Sequence, residues 1–316
     1  MAQADGGAGS GGGEVLVVLA AGRARRYGGC KPLAPVGPSG EAVIDLLASD
    51  AVAAGFGSVV LVIGPSTGPA IRYHVEQTWP SGVDVHFELQ EQPLGTVDAV
   101  LRGTERIPAD RRIGVANADD LYGEDALAVL ASHLRGEDPD EALVAFRLRD
   151  TLVGDSPVTR GICQVGGTGR LASIAERRQV MPANGGRFVS KDGSEPSELD
   201  GDALVSMNLW GFTPTMREIL ARTMAEARGV SEEAEVLLPE VVADQLAHGH
   251  EPRARQAGGA RPGPEFRVLP APGRCIGVTH PDDLGRVQEE LARDVAAGRR
   301  AAQLWTSAAG RGASAG

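Results

Sequence analysis

The 316-residue sequence is poor in aromatic side chains, poor in cysteine and has no long apolar run. Aromatics supply only 4% of it, so alanine, valine and leucine must fill the core that a 42% hydrophobic composition supports. The three cysteines, Cys30, Cys163 and Cys275, are odd in number, far apart and without C-x-x-C spacing. That excludes a disulfide framework and a cysteine zinc site, and it points to a reducing compartment. No apolar stretch reaches the ~20 residues that cross a bilayer. Basic residues are also outnumbered: 31 Lys and Arg against 42 Asp and Glu leave a formal net charge of −11. This balance argues against nonspecific affinity for nucleic acid or anionic membranes. Residues 1–13, rich in Gly and Ala and lacking Lys and Arg, read as a disordered tail and not a signal peptide. The expected location is cytoplasmic.

Against that acidic background stands one basic loop. Residues 19–33 read Leu-Ala-Ala-Gly-Arg-Ala-Arg-Arg-Tyr-Gly-Gly-Cys-Lys-Pro-Leu, directly after the apolar run at 15–18. A buried strand opening into small residues lets backbone N–H groups approach phosphate oxygens. Arg23, Arg25, Arg26 and Lys31 then offset the charge of a polyphosphate. The bland alternative is a solvated basic turn. No Gly-Lys-Ser/Thr closes the loop, so it is not a Walker A motif, and Ala24 stands where G-x-G-x-x-G needs its second glycine. Cys30 reads as a small packing residue, with a reactive thiol as the alternative.

The loop begins an alternating pattern. Further strands are expected over 59–63, 83–89 and 113–116, and helices over 42–54, ending at Gly55, and 96–106. The alternation predicts βαβ units and a mostly parallel α/β sheet, whose ligands gather beyond the carboxyl ends of its strands. The second half is more mixed, with strands over 142–147, 161–165 and 205–212 and helices over 215–227 and 237–248. Residues 253–264, rich in Gly, Pro and Arg, read as a surface loop. One domain is expected over 14–295: 14–125 binds nucleotide, 126–295 shapes the second substrate, and 296–316 is a tail.

Two more strand-end segments carry chemistry. Gln90-Glu91-Gln92-Pro93-Leu94-Gly95-Thr96 offers an amide to a nucleobase edge, a glycine permitting close backbone approach, and Thr96 as N-cap of the next helix. Asn117-Ala118-Asp119-Asp120-Leu121-Tyr122-Gly123 places paired carboxylates where Mg²⁺ finds hard oxygen ligands. Taken singly, each also reads as a plain turn.

Together they resemble the sugar-phosphate nucleotidyltransferases, or NDP-sugar pyrophosphorylases. That family's loop runs L-A-A-G-x-G-x-R followed by K-P, and its base-reading segment runs Q-x-x-x-x-G-T. Gly22, Arg26, Lys31 and Pro32 match the loop; Ala24 departs from it. The resemblance covers roughly residues 14–290. It implies a single-domain, Rossmann-like mixed sheet of the nucleotide-diphospho-sugar transferase type.

It further implies Arg26 and Lys31 as catalytic, and Leu19, Ala20, Ala21, Gly22, Gln90, Gly95 and Thr96 as nucleotide-binding. Asp119 is the implied Mg²⁺ ligand, with Asp120 a second-shell or alternative one. Within Gly277-Val278-Thr279-His280-Pro281-Asp282-Asp283-Leu284, Thr279 occupies the family's second metal position; the same residues equally suit the start of the last helix. Ile174-Ala175-Glu176-Arg177 reads as the end of a strand. Gly161, Glu176 and Asn208 match positions that hold sugar hydroxyls, and Arg177 stands where a lysine is common, placed to pair with the incoming phosphate.

The implied reaction joins an NTP and a sugar 1-phosphate into an NDP-sugar with release of pyrophosphate. A cyclitol or aminosugar phosphate acceptor and a catalytically weak regulatory protein remain alternatives, and homo-oligomers stay open. An NAD-binding domain is opposed by the missing glycines. Neither nucleic acid nor membrane is an expected partner.

Overall fold

The computed structural model describes residues 13–22, 29–137, 140–248, 263–278 and 283–305. Strand β1 (Glu14–Ala20) lies at the centre, with Val15, Leu16, Val17 and Val18 fully buried. A continuous apolar run suits a strand covered on both faces. β2 (Phe56–Ile63) and then β3 (Val85–Leu89) extend the sheet in parallel on one side, and β4 (Ile113–Asn117) pairs in parallel on the other. Helices α1 (Val43–Ala53), α2 (Gly68–Thr78) and α3 (Gly95–Gly103) make the crossovers. Gly55, at φ +95, ends the α1 turn in the left-handed conformation that glycine adopts without cost.

The chain then passes through β5 (Asp120–Leu121), α4 (Glu124–Arg135) and β6 (Glu141–Arg147). An antiparallel arm follows: β7 (Val158–Val165), β8 (Leu171–Pro182), β9 (Arg187–Ser190) and β10 (Glu198–Asp200). β11 (Leu204–Phe212) is the pivot. It runs antiparallel to its neighbours, pairing with β4 through residues 210–212, with β7 through 205–206 and with β6 along its other edge. After α5 (Pro214–Val230) and α6 (Leu238–His248), β12 (Phe266–Pro270) joins β6 in parallel. β13 (Ile276–Gly277) pairs with β5, and α7 (Leu284–Ala296) follows. The result is the expected mixed α/β sheet, parallel through its centre.

Two apolar layers sandwich it. Ile44, Leu47, Ile71, Leu127 and Leu130 of α1, α2 and α4 cover one face. Val97, Val100, Met216, Leu220 and Val242 of α3, α5 and α6 cover the other. The buried Glu141 carboxylate ties β6 to the start of α5, accepting from Thr213 N at 2.7 Å and Thr213 Oγ1 at 2.5 Å. Burial pushes its carboxyl up to about 7.

Three features depart from the sequence reading. α2 was not anticipated: beyond its first residue only Ile71 and Val75 are buried, a stripe too thin to announce a helix. β8 continues to Pro182, so Glu176 and Arg177 lie in mid-strand and not at its end. Part of the expected tail packs: Arg300 pairs with Asp50 at 2.7 Å, and the Trp305 ring lies 5.2 Å from Trp79. Most of the 253–264 loop lies outside the described residues. Among them, no helix is long and apolar enough to cross a membrane.

Candidate active site

The site forms because β1 and β4 are parallel neighbours. The basic loop leaves the carboxyl end of β1, and the Asp119-Asp120 turn leaves that of β4. Lys31 opens a 3-10 turn (Lys31–Leu33), and its Nζ sits 3.5 Å from Asp119 Oδ2 across 88 residues of sequence. Asp119 remains 39% exposed in its side chain, so its oxygens are open to a ligand. A cleft of about 170 Å³ passes between them, touching Ala20 and Gly22. Arg26 and Thr279 fall outside the described residues.

A larger cleft of about 570 Å³ adjoins it and is lined by Leu19, Ala21, Gly22, Gln90, Gly95 and Thr96, with Asp119 shared between the two. The structure therefore gathers all seven sequence-derived nucleotide residues, Lys31 and Asp119 along two clefts with common walls. Glu235 and Leu237 line it as well, and no sequence signal flagged them.

Thr96 corrects an expectation. It is the second residue of α3, not its cap, and its hydroxyl accepts from Leu238 N at 2.7 Å. The cap position belongs to Leu94. Gly95 is required: it sits at φ +91, and a Cβ there would lie 2.7 Å from Val236 N and run into the Val236 carbonyl. Gln90 is buried, and its Nε2 donates to Gly95 O at 2.9 Å and to Asp98 Oδ2 at 3.1 Å.

Beside Asp119, Asp120 is buried and held by Asn117 Nδ2 at 2.9 Å. Burial, then the neighbouring Asp119 charge, pushes its carboxyl up to about 7. Tyr122 accepts from Asn117 N at 3.0 Å and donates to Met207 O at 2.8 Å, so it fixes this turn against β11. Asn117 and Tyr122 act as supports, and residue type alone gave no hint of it.

A metal fits the donor set. Mg²⁺ is usually held by one or two carboxylates together with substrate phosphates. Asp119 offers one such carboxylate at the cleft. Among the described residues, no cluster of three or more His, Cys, Asp or Glu side chains forms a self-contained cage. Cys30 is half-buried, and burial raises its thiol, so it behaves as the packing residue of the first reading.

The second-substrate candidates divide. Gly161 faces Glu176 across β7 and β8 and Ser206 across β7 and β11, so these three share one side of the sheet. Asn208 sits at a register shift in β11, at φ +57, where asparagine is tolerated. Its Oδ1 accepts from Trp210 Nε1 at 3.2 Å, leaving its amide nitrogen to other partners. Glu176 is exposed and pairs with Arg178 at 2.8 Å. Arg177 corrects the reading: it points to the opposite face, buried, with Nε 3.1 Å from Asp192 Oδ2. Its Nη2 reaches the Ser194 and Pro196 carbonyls at 2.8 and 3.0 Å. A side chain so engaged clamps the β8–β9 arm.

A family model for the MobA-like NTP transferase domain matches residues 16–184, more than half of the 316. The chain belongs to the MobA-like NTP transferases. The match takes in the Lys31–Asp119 pair and Gln90, so the clefts described above are those of a nucleotidyltransferase domain. Among solved structures it is similar to the inositol-1-phosphate CTP transferase from T. maritima, with a TM-score of 0.59 and 14% identity over 90% of this chain and 98% of that one. At that identity the likeness speaks for the fold. No curated protein sequence matches.

Proposed function

We propose that this nucleotidyltransferase joins an NTP to a sugar 1-phosphate, releasing pyrophosphate and an NDP-sugar. The observation that carries the reading is the 3.5 Å approach of Lys31 to Asp119 at the mouth of the cleft that Gln90 and Gly95 line. A phosphate oxygen of the acceptor attacks the α-phosphorus; that O–P bond forms as the bond to the bridging α,β-oxygen breaks, and pyrophosphate departs. The attacking oxygen is already ionised at neutral pH, so no general base is needed. Catalysis then rests on alignment and charge stabilisation. Gln90 and the Gly95 backbone seat the base, the 19–22 backbone borders the phosphates, and Lys31 offsets charge growing at the α-phosphate. Asp119 would hold Mg²⁺, which supplies further neutralisation of the triphosphate. Gly161, Glu176 and Asn208 are the proposed sugar contacts.

A second acceptor, a cyclitol 1-phosphate, is favoured by what the T. maritima neighbour is described as using. Pyrophosphate release from five NTPs against sugar and cyclitol 1-phosphates tests both readings. One NTP–acceptor pair is expected to turn over, and Lys31→Ala to lower kcat by about 10²–10³ with the fold retained. Turnover of Lys31→Ala near that of the wild type would refute the role given to this lysine.

A further inference from the structure

Gly95 and Thr96 hold a distant segment of the chain against the larger cleft. A Cβ at Gly95 would run into the Val236 carbonyl, and the Thr96 hydroxyl accepts from Leu238 N at 2.7 Å. Val236 N donates to Leu94 O at 3.0 Å, and Val97 N donates to Val236 O at 3.1 Å. These contacts latch residues 235–238 along the first residues of α3. Val236 and Leu238 are buried in the apolar layer, while Glu235 and Leu237, which alternate with them, line the cleft. Glu235 is thus presented to the cleft by a fixed backbone.

Its side chain is exposed and has no hydrogen-bond or ion-pair partner among the described residues. Nor does any Lys or Arg among the described residues line this cleft. A nucleoside triphosphate is strongly anionic, so a bare carboxylate beside it weakens binding by repulsion unless it meets a donor. The neutral donors that the nucleotide and a sugar or cyclitol phosphate share are adjacent hydroxyls. The two oxygens of one carboxylate accept from both members of such a pair, and an acidic side chain accepts from the ribose 2′-hydroxyl in dinucleotide-binding folds.

We propose that Glu235 is a specificity-determining residue that accepts hydrogen bonds from a vicinal diol, supplied by the ribose of the nucleotide or by the ring of the acceptor. This rests on the nucleotidyltransferase reading of the cleft and adds a contact which that reading lacks. Hydrogen bonds to a charged group strengthen binding by about ten- to hundred-fold, and that is the loss expected when the charge is removed.

The test is Glu235→Gln in the full chain, which keeps the length of the side chain. Its melting should match wild type, because no contact within the fold is lost. Calorimetry with CTP, GTP, ATP and UTP and their 2′-deoxy counterparts, with no acceptor present, reads the ribose. If ribose supplies the diol, the variant binds the ribonucleotide about ten-fold or more weakly and loses the preference over the 2′-deoxy form. Pyrophosphate release with the sugar and cyclitol 1-phosphates reads the acceptor. If the acceptor supplies the diol, its KM rises about ten-fold or more while kcat and the nucleotide Kd hold. Glu91→Gln is the control, since Glu91 also lines the cleft without a partner but has no such latch. Nucleotide binding in Glu235→Gln as tight as wild type or tighter, with acceptor KM unchanged, overturns the contact and leaves the nucleotidyltransferase reading intact. So does an equal loss in Glu91→Gln. Wild-type protein that binds no nucleotide, or turns over no acceptor, removes the underlying reading and this contact with it.

Discussion

Arg177 offers a sharp test of the site's boundary, because sequence and structure assign it different work. Replacing it by methionine keeps most of its length and removes the guanidinium. The loss includes the two-point contact with Asp192, at 3.1 and 3.4 Å, and the bonds to the Ser194 and Pro196 carbonyls. Both partners of the ion pair are more than nine-tenths buried, at 7% and 9% side-chain exposure. Removing the guanidinium withdraws charged hydrogen bonds from the Ser194 and Pro196 carbonyls, a loss of about 1.5–3 kcal/mol. Asp192 would still accept from Arg178 N and Ser194 N, each at 2.9 Å, so it keeps partners. At roughly 2 °C per kcal/mol for a large domain, the melting temperature should fall by about 3–6 °C. Hydrogen exchange should quicken first along 187–200, the arm that Arg177 holds closed. Turnover measured well below the melting point should stay within about three-fold of wild type, since no lost contact lies at the clefts. A variant that melts like wild type yet loses about 100-fold in kcat/KM for the phosphorylated acceptor would refute the clamp and return Arg177 to the phosphate.

Gly95→Ala should destabilise the chain by at least about 2 kcal/mol, from left-handed strain plus collision with the Val236 backbone. Nucleotide affinity should fall with it, and a calorimetric Kd alongside a urea melt reads both effects. The buried Glu141 titrates near 7 when folded against 4.5 when unfolded, so its contribution is fully present below about pH 4.5 and is lost as pH rises through 7. The loss amounts to about 3 kcal/mol. Asp50, raised to about 6, and Asp120, raised to about 7, act in the same direction, so Glu141→Gln isolates one share. Its stability relative to wild type should improve between pH 5 and pH 8 in urea titrations, and an identical difference at both would discount the buried carboxyl.

What the sequence displayed was whatever depends on chain direction and burial. The apolar runs of β1, β2 and β4 are readable because strands covered on both faces admit little else. Once those runs alternate with helices, handedness and direction bring their carboxyl ends together. That is why Lys31 and Asp119, 88 residues apart, could be expected at one site and do lie 3.5 Å apart. Gln90 and Gly95 were legible for the same reason, each following β3.

What stayed hidden depends on partners that local pattern does not name. Arg177 and Arg178 are adjacent and chemically identical; only the hairpin register, which brings Asp192 to the buried side, decides which clamps the arm and which pairs on the surface with Glu176. Thr96 looked like a cap because threonine before a helix usually is one. The backbone group that claims its hydroxyl belongs to Leu238, 142 residues on. Asp98 carried no signal, since an acid in the first turn of a helix is commonplace. The common thread is that sequence locates the reactive groups by strand ends, while their orientation is set by tertiary hydrogen bonds. Gln90 is such a case: its amide nitrogen is turned toward Gly95 O and Asp98 Oδ2, at 2.9 and 3.1 Å.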